Sequence, residues 1–259
     1  MKITLLGTGT SSGVPQIGCQ CSVCLSDDIR DKRLRTSALI ETDSCRLLVD
    51  CGPDFRQQIL KLPFKPIDAV LLTHEHYDHI GGLDDLRPFS EQARLDVFGL
   101  ERTLNVVRRQ MPYSFDTVER PRVPHLKLNA VEAGRPFLVE RSGGEPLSVM
   151  PIEVLHGEMP ILGYRIGKMA FITDMKSAPE ESLKLLEGVE CLIINGLRHR
   201  MHTTHQTIED AVSLSQKLGA SCVRIIHLAH SAGLHAESAT YLPPHIKFGY
   251  DGEVLYVED

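Results

Sequence analysis

The chain has 259 residues, 42% of them hydrophobic and 5% aromatic with no Trp, and 28 Lys and Arg against 34 Asp and Glu give a net charge of −6 with neutral His. That balance lacks the basic footprint of a protein that grips long nucleic acid, and no stretch approaches the roughly 18 apolar residues that span a membrane. Seven Cys, three of them crowded at positions 19, 21 and 24, suit metal thiolates in a reducing cytoplasm better than a disulfide framework.

Met1-Lys2 leads directly into Ile3-Thr4-Leu5-Leu6-Gly7 without a cleavage pattern, so a cytoplasmic location is expected. Residues 1–259 carry no tandem repeat and no low-complexity linker, and read as a single domain. Short runs rich in Val, Ile and Leu predict strands at 2–6, 37–42, 46–50, 68–73, 95–98, 125–131, 147–155, 161–166, 169–173, 190–194, 222–227 and 253–257. Helical patterns fall at about 54–62, 101–110, 179–187 and 206–218. The last sets Ile208, Ala211, Val212, Leu214, Ser215 and Leu218 on one side, with Gly219 as its stop. Strands outnumber helices in both halves, which favours mixed sheets covered by helices over a doubly wound parallel sheet.

The run His74-Glu75-His76-Tyr77-Asp78-His79, HxHxDH, follows the apolar Ala69-Val70-Leu71-Leu72-Thr73 and precedes Gly81-Gly82. It packs four metal-ligating groups into six residues. Imidazole and carboxylate together suit zinc, manganese, iron or cobalt, and the end of a buried strand can aim them at one point. The competing reading is a solvated, charged loop. Further chemistry-bearing residues end apolar runs: His156 after 149–155, Asp174 after 169–173, His227 after 222–226 and Asp50 after 45–49. Each alone reads as a hydrogen-bonded structural residue; their joint pattern does not.

In this order, a strand-end Asp, HxHxDH, then separate His, Asp and His residues, the chain resembles the metallo-β-lactamase-fold hydrolases from Gly7-Thr8-Gly9-Thr10-Ser11-Ser12-Gly13 to His227. The resemblance implies an α/β fold, a four-layer αβ/βα sandwich of two mixed β-sheets with the site at one edge. It implies that His74, His76 and His156 hold one metal and Asp78, His79 and His227 the other, that Asp174 bridges them, and that Asp50 orients a ligand by hydrogen bonding. Two divalent ions roughly 3.5 to 4 Å apart acidify a shared water and clamp both the attacking and the leaving oxygen, so the expected chemistry is hydrolysis by metal-bound hydroxide. Manganese, zinc and iron all suit this ligand set.

A second metal signature is Gly18-Cys19-Gln20-Cys21-Ser22-Val23-Cys24. CxCxxC supplies three thiolates and wants a fourth ligand, and His230, three residues beyond His227, is the best candidate to complete a structural zinc beside the active site. The alternative is three reduced thiols without metal. Cys45, Cys51, Cys191 and Cys222 lie on strand-like runs and read as packed core thiols. HxHxDH, CxCxxC and a late HxxH together narrow the resemblance to the PhnP-type phosphodiesterases, relatives of tRNase Z. That group opens cyclic ribose phosphates, so the implied substrate is a small phosphodiester and the product a phosphomonoester. By the same resemblance His205 matches a general acid or phosphate-stabilising donor; in the mechanism expected from these residues Asp78 polarises the nucleophile.

The segment Arg198-His199-Arg200-Met201-His202-Thr203-Thr204-His205 holds three His, which leaves His199 and His202 as alternatives for that role, and its two Arg offer phosphate binding. Asn195 stands where some relatives carry an acidic residue. Other chemistries of the fold, namely tRNA 3′ processing, lactone or thioester hydrolysis, are the alternatives, with a non-catalytic metal-binding protein as a further one. No long nucleic acid or membrane partner is expected, and a homodimer is left open.

Overall fold

A computed structural model describes every residue except 44, 92, 116–121, 141–144 and 259. Fourteen strands appear among the described residues: β1 Lys2–Gly7, β2 Ser37–Glu41, β3 Arg46–Val49, β4 Ala69–Leu71, β5 Leu95–Gly99, β6 Leu126–Ala130, β7 Phe137–Val139, β8 Leu147–His156, β9 Met159–Ile166, β10 Met169–Ile172, β11 Cys191–Asn195, β12 Cys222–Ile226, β13 Ile246–Phe248 and β14 Val254–Tyr256. The α-helices are α1 Ser22–Leu25, α2 Phe55–Ile59, α3 Tyr77–Ile80, α4 Glu101–Gln110, α5 Glu180–Lys184, α6 Ile208–Leu218 and α7 His235–Ser238. All twelve expected strands and four expected helices are present. The two strands that the sequence pattern misses, β7 and β13, are three-residue edge strands, too short for a period to register.

The strands form two seven-stranded sheets, ordered β14-β1-β2-β3-β4-β5-β6 and β13-β12-β11-β10-β9-β8-β7. Both repeat one plan: antiparallel pairings up to β3 or β10, then parallel pairings through β4–β6 or β11–β13. The repetition is topological and leaves no trace as a sequence repeat.

Burial on both faces explains why the inner strands are apolar throughout rather than alternating. Along β3, Leu47 and Val49 join the core between the sheets, while Leu48 faces the helical side with Phe55 of α2 and Leu104 of α4. Along β10, Met169 and Phe171 face the other sheet, and Ala170 and Ile172 face Ile208 and Ala211 of α6. The result is a helix–sheet–sheet–helix sandwich of mixed sheets, as expected.

The sheets are tied where the first carries HxHxDH. The Tyr164 hydroxyl of β9 donates to the Leu72 carbonyl at 2.6 Å, and Leu162 N–H of the same strand donates to Thr73 O at 3.0 Å. Tyr164 is fully buried. Tyr164→Phe should therefore lower unfolding free energy by about 1–2 kcal/mol, the cost of a buried acceptor left short of a donor, measured as a shift of the urea midpoint at unchanged m-value.

Candidate metal centre

Asp50, Asp174 and His227 sit just past the C-terminal ends of strands, and the backbone is bent there. The three adopt φ of 57°, 55° and 56°, within one or two residues of the ends of β3, β10 and β12. Non-glycine residues hold this left-handed conformation only where surrounding contacts enforce it, and such outliers gather at functional sites. Here the turn directs Asp174 and His227 into the histidine cluster and Asp50 onto Thr73 and His79 beneath it.

HxHxDH folds into a short loop followed by α3, with His76 as N-cap. The turn sends Asp78 and His79 inward and leaves Tyr77 66% exposed. Glu75 turns the other way, accepting from the Thr103 hydroxyl at 2.8 Å with Arg102 at 3.5 Å. Close backbone approach seats α3 on the end of β3: Cys51 N–H donates to His79 O at 2.7 Å and Gly82 N–H to Cys51 O at 2.8 Å. A Cβ on Gly52 would collide with the Asp78 carbonyl, so glycine is required there.

Asp174 is the hub. Its Oδ1 lies 3.0 Å from His227 Nδ1 and 3.4 Å from His79 Nε2, and its Oδ2 lies 3.2 Å from His205 Nε2 and 3.9 Å from His74 Nε2. A fifth imidazole, His156, donates Nδ1–H to the Asp174 carbonyl at 2.7 Å. Burial opposes charge on this carboxyl, yet His227 and His79 hold it well below the usual carboxylate range.

Asp50 organises the first sheet's contribution. Its carboxylate accepts from Thr73 N–H and Oγ1–H, both at 2.8 Å, and from His79 Nδ1 at 2.6 Å. The Thr73 hydroxyl, having given its proton to Asp50, accepts from His74 Nδ1 at 3.0 Å. Both rings thus direct Nδ1–H to Asp50, directly or through Thr73, which leaves Nε2 of each facing the cleft as the atom a cation would bind.

The expected ligands assemble in three groups about Asp174. Asp78, His79 and His227 join it in one, and His74 and His76 in a second, with donor atoms within 4.8 Å of one another in each. His156 falls in a third group, with Asp174 and His205, rather than with His74 and His76, although its ring lies 5.1 Å from that of His76. His205 is thus drawn into the cluster itself.

Three observations fit this donor set to divalent cations. His79 Nε2 is buried without a hydrogen-bond partner. His74 Nε2 and His76 Nδ1 face each other at 2.9 Å, as two donors converging on one point do. Burial works against charge on His79, but Asp174, Asp50 and Asp78 together hold its pKa well above the imidazole range, so three clustered carboxylates call for positive charge.

Of the three histidines before α6, His205 contacts Asp174, His202 lies behind it at 3.1 Å (Nδ1 to Nδ1), and His199 pairs with Glu209 at the protein surface. The start of α6 fixes His205 in place. Thr207 caps the helix, accepting from Asp210 N–H at 3.1 Å while Asp210 accepts from Thr207 N–H at 2.9 Å. The sequence did not assign Asn195 a role. Its buried amide accepts from Met175 N–H and donates to Met175 O, both at 2.9 Å, one residue beyond Asp174. Gln206 Nε2 then donates to the Asn195 carbonyl at 2.6 Å and Gln206 N–H to Met175 O at 2.9 Å. Asn195 therefore links the Asp174 turn to the His205 segment; an acidic side chain could not donate to the Met175 carbonyl.

The expected second cluster also forms: Cys19 Sγ and Cys21 Sγ lie 3.2 and 3.3 Å from His230 Nδ1, and the donor atoms of Cys19, Cys21, Cys24 and His230 are mutually within 4.8 Å. The Cys24 backbone N–H, then His230, lower the Cys21 thiol to about 6, whereas burial pushes Cys24 up to about 11. Four convergent N and S donors suit a tetrahedral ion.

Residues 45–228 match the beta-lactamase superfamily domain. A Porphyromonas gingivalis protein named octanoyltransferase is 49% identical over 261 residues, covering 100% of this chain and 52% of its own length, so the chain spans about half of that relative. A coenzyme PQQ synthesis protein B of Methylobacterium nodulans is 30% identical over 222 residues, 76% of this chain and 73% of its own. The crystal structure of a diphosphatase from the PhnP family superposes with a TM-score of 0.88 at 38% identity, over 98% of this chain and 96% of that one. The two-sheet sandwich, the order of the strand-end residues and these likenesses agree: the chain belongs to the metallo-β-lactamase superfamily.

Proposed function

We propose that this metallo-β-lactamase-fold hydrolase cleaves small phosphodiesters, cyclic ribose phosphates foremost, to phosphomonoesters. The observation that carries the reading is the division of Asp174: one oxygen faces His79 and His227, the other His74 and His205. A carboxylate so divided suits a bridge between two cations. Asp78, His79 and His227 would hold one, His74, His76 and His156 the other, and Cys19, Cys21, Cys24 and His230 a structural zinc. Bound there, two divalent ions supply a water acidified to near neutral pH and positive charge for phosphate oxygens.

The remaining work falls to the chain. Asp78, with Oδ2 3.2 Å from His79 Nε2, orients the attacking water as an acceptor of its proton. His205, buried with Nε2 3.2 Å from Asp174 Oδ2, would pass the proton it shares with that carboxylate to the departing sugar oxygen; burial lowers its pKa and Asp174 opposes this. Arg198 and Lys176 act electrostatically on His202, which burial and these charges keep neutral, and their positive charge near His205 attracts a phosphate and raises its local concentration. The likeness to a structure described as a PhnP-family diphosphatase supports phosphorus as the electrophile. The net charge of −6 argues against a long RNA.

A second reading, acyl ester or thioester hydrolysis, is favoured by the relative named octanoyltransferase. A panel separates the two: protein loaded with manganese or zinc is assayed on ribose cyclic phosphates, nucleoside 2′,3′-cyclic phosphates, bis(p-nitrophenyl) phosphate, a lactone and an octanoyl thioester. Turnover of the phosphodiesters is expected; activity on the lactone or thioester alone would sink the reading.

His205→Ala should lower kcat on an alkoxide leaving group by roughly 10²–10⁴-fold, change p-nitrophenyl ester turnover far less, and leave metal content by elemental analysis unaltered. Loss of metal instead would make His205 a ligand. Asn195→Asp, which turns a donor into an acceptor against the Met175 carbonyl, should weaken metal affinity by about 10–100-fold, read by competition with a chelating dye.

A further inference from the structure

The hydrolytic site leaves one pair of thiols unexplained. β11 and β12 run parallel with Cys191 directly opposite Cys222. Paired residues of neighbouring strands point to the same face, and both side chains join the core between the sheets. Strands lie about 4.8 Å apart, inside the roughly 4.4–6.8 Å between Cα atoms that a disulfide spans. Cys191 is buried and Cys222 half-buried. Two residues along β12, Arg224 reaches back to Cys222 Sγ at 3.7 Å while its Nε donates to Glu253 at 2.6 Å.

We propose that Cys191 and Cys222 form a redox-active dithiol, with Cys222 the residue oxidised by peroxide and Cys191 the resolving thiol. The two sulfurs are not alike. Cys191, donating its S–H, lowers the Cys222 thiol to about 6, and the Arg224 guanidinium adds to this against the opposing effects of burial and Glu253. The same hydrogen bond and burial raise Cys191. A thiolate beside a guanidinium is the usual setting of a reactive cysteine.

In the first step the Cys222 thiolate attacks a peroxide oxygen. The O–O bond breaks, Cys222 becomes a sulfenic acid, and the departing alkoxide or hydroxide takes a proton. In the second, the Cys191 sulfur attacks Cys222 Sγ, the S–O bond breaks, and water leaves with the Cys191 proton. Two thiols lose two electrons, and one peroxide becomes an alcohol, or water, plus water. A thiol reductant reverses the bond by attacking one sulfur and releasing the other as a thiol.

The test uses the zinc-loaded full chain, so that Cys19, Cys21 and Cys24 are protected, with stoichiometric hydrogen peroxide followed by non-reducing digestion and mass spectrometry. A Cys191–Cys222 cross-linked peptide, 2 Da lighter than its separated parts and abolished by dithiothreitol, is expected. Cys191→Ser should leave Cys222 as a sulfenic acid trapped by dimedone. Arg224→Gln, which keeps both thiols, should slow Cys222 alkylation at pH 7 several-fold. The proposal fails if both cysteines stay reduced while other thiols oxidise, or if Cys222 in the native chain alkylates no faster than a cysteine in a short peptide.

Discussion

Everything at the candidate metal centre depends on keeping Asp174 ionised where water cannot reach it. A buried carboxylate is costly unless opposed by positive charge and hydrogen bonds, and here the opposition comes from elements far apart in sequence. His79 arrives on α3, His227 from the end of β12, His205 from the turn before α6, and the Thr173 hydroxyl donates to Oδ1 at 2.6 Å. Neither sheet supplies this set alone. The seam between them is the place where the fold can assemble it, and the ties from β9 to Leu72 and Thr73 hold that seam closed at the level of His74.

Asp50 and Asp174 occupy the same place in their two sheets, each just past the strand at which pairing changes from antiparallel to parallel, and each with a left-handed backbone. Their surroundings separate them. Asp50 is enclosed by Thr73 and His79 donors and faces inward as a support; Asp174 meets imidazoles on both oxygens and faces the cleft. One topological position thus provides a support in one sheet and a hub in the other.

Much of this was legible because it depends on local pattern. An apolar run followed by His or Asp marks a strand end with a chemical group, and that rule located Asp50, His74, His156, Asp174 and His227. The three-residue strands β7 and β13 carry too little pattern, and the repeated sheet plan is invisible because β3 (RLLV) and β10 (MAFI) share hydrophobicity and no residue. The histidines at 199, 202 and 205 are equivalent in sequence and become distinct only when α6 begins, since its first turn supplies the Glu209 that takes His199 away. Asn195 obeys the strand-end rule, but its partner is the backbone of Met175, and no side-chain pattern announces a backbone partner. The separation of His156 from His74 and His76 likewise depends on how the two sheets meet.

The contact between the cysteine loop and His230 joins positions as much as 211 residues apart. Bridged by a metal ion it would act like a disulfide spanning most of the chain, and a bond that closes so long a loop removes more freedom from the unfolded chain than from the folded one, about 5 kcal/mol in the chain-entropy account. Leu228, between His227 and His230, is itself clasped by the first loop, its N–H bonding Thr8 O at 3.0 Å and its carbonyl accepting from Thr10 N–H at 3.2 Å. The cysteine loop and the segment after β12 are thereby buckled together beside the candidate metal centre, so a metal at the thiols would act on how often these segments part, through the entropy of the open chain rather than through contact with any ligand.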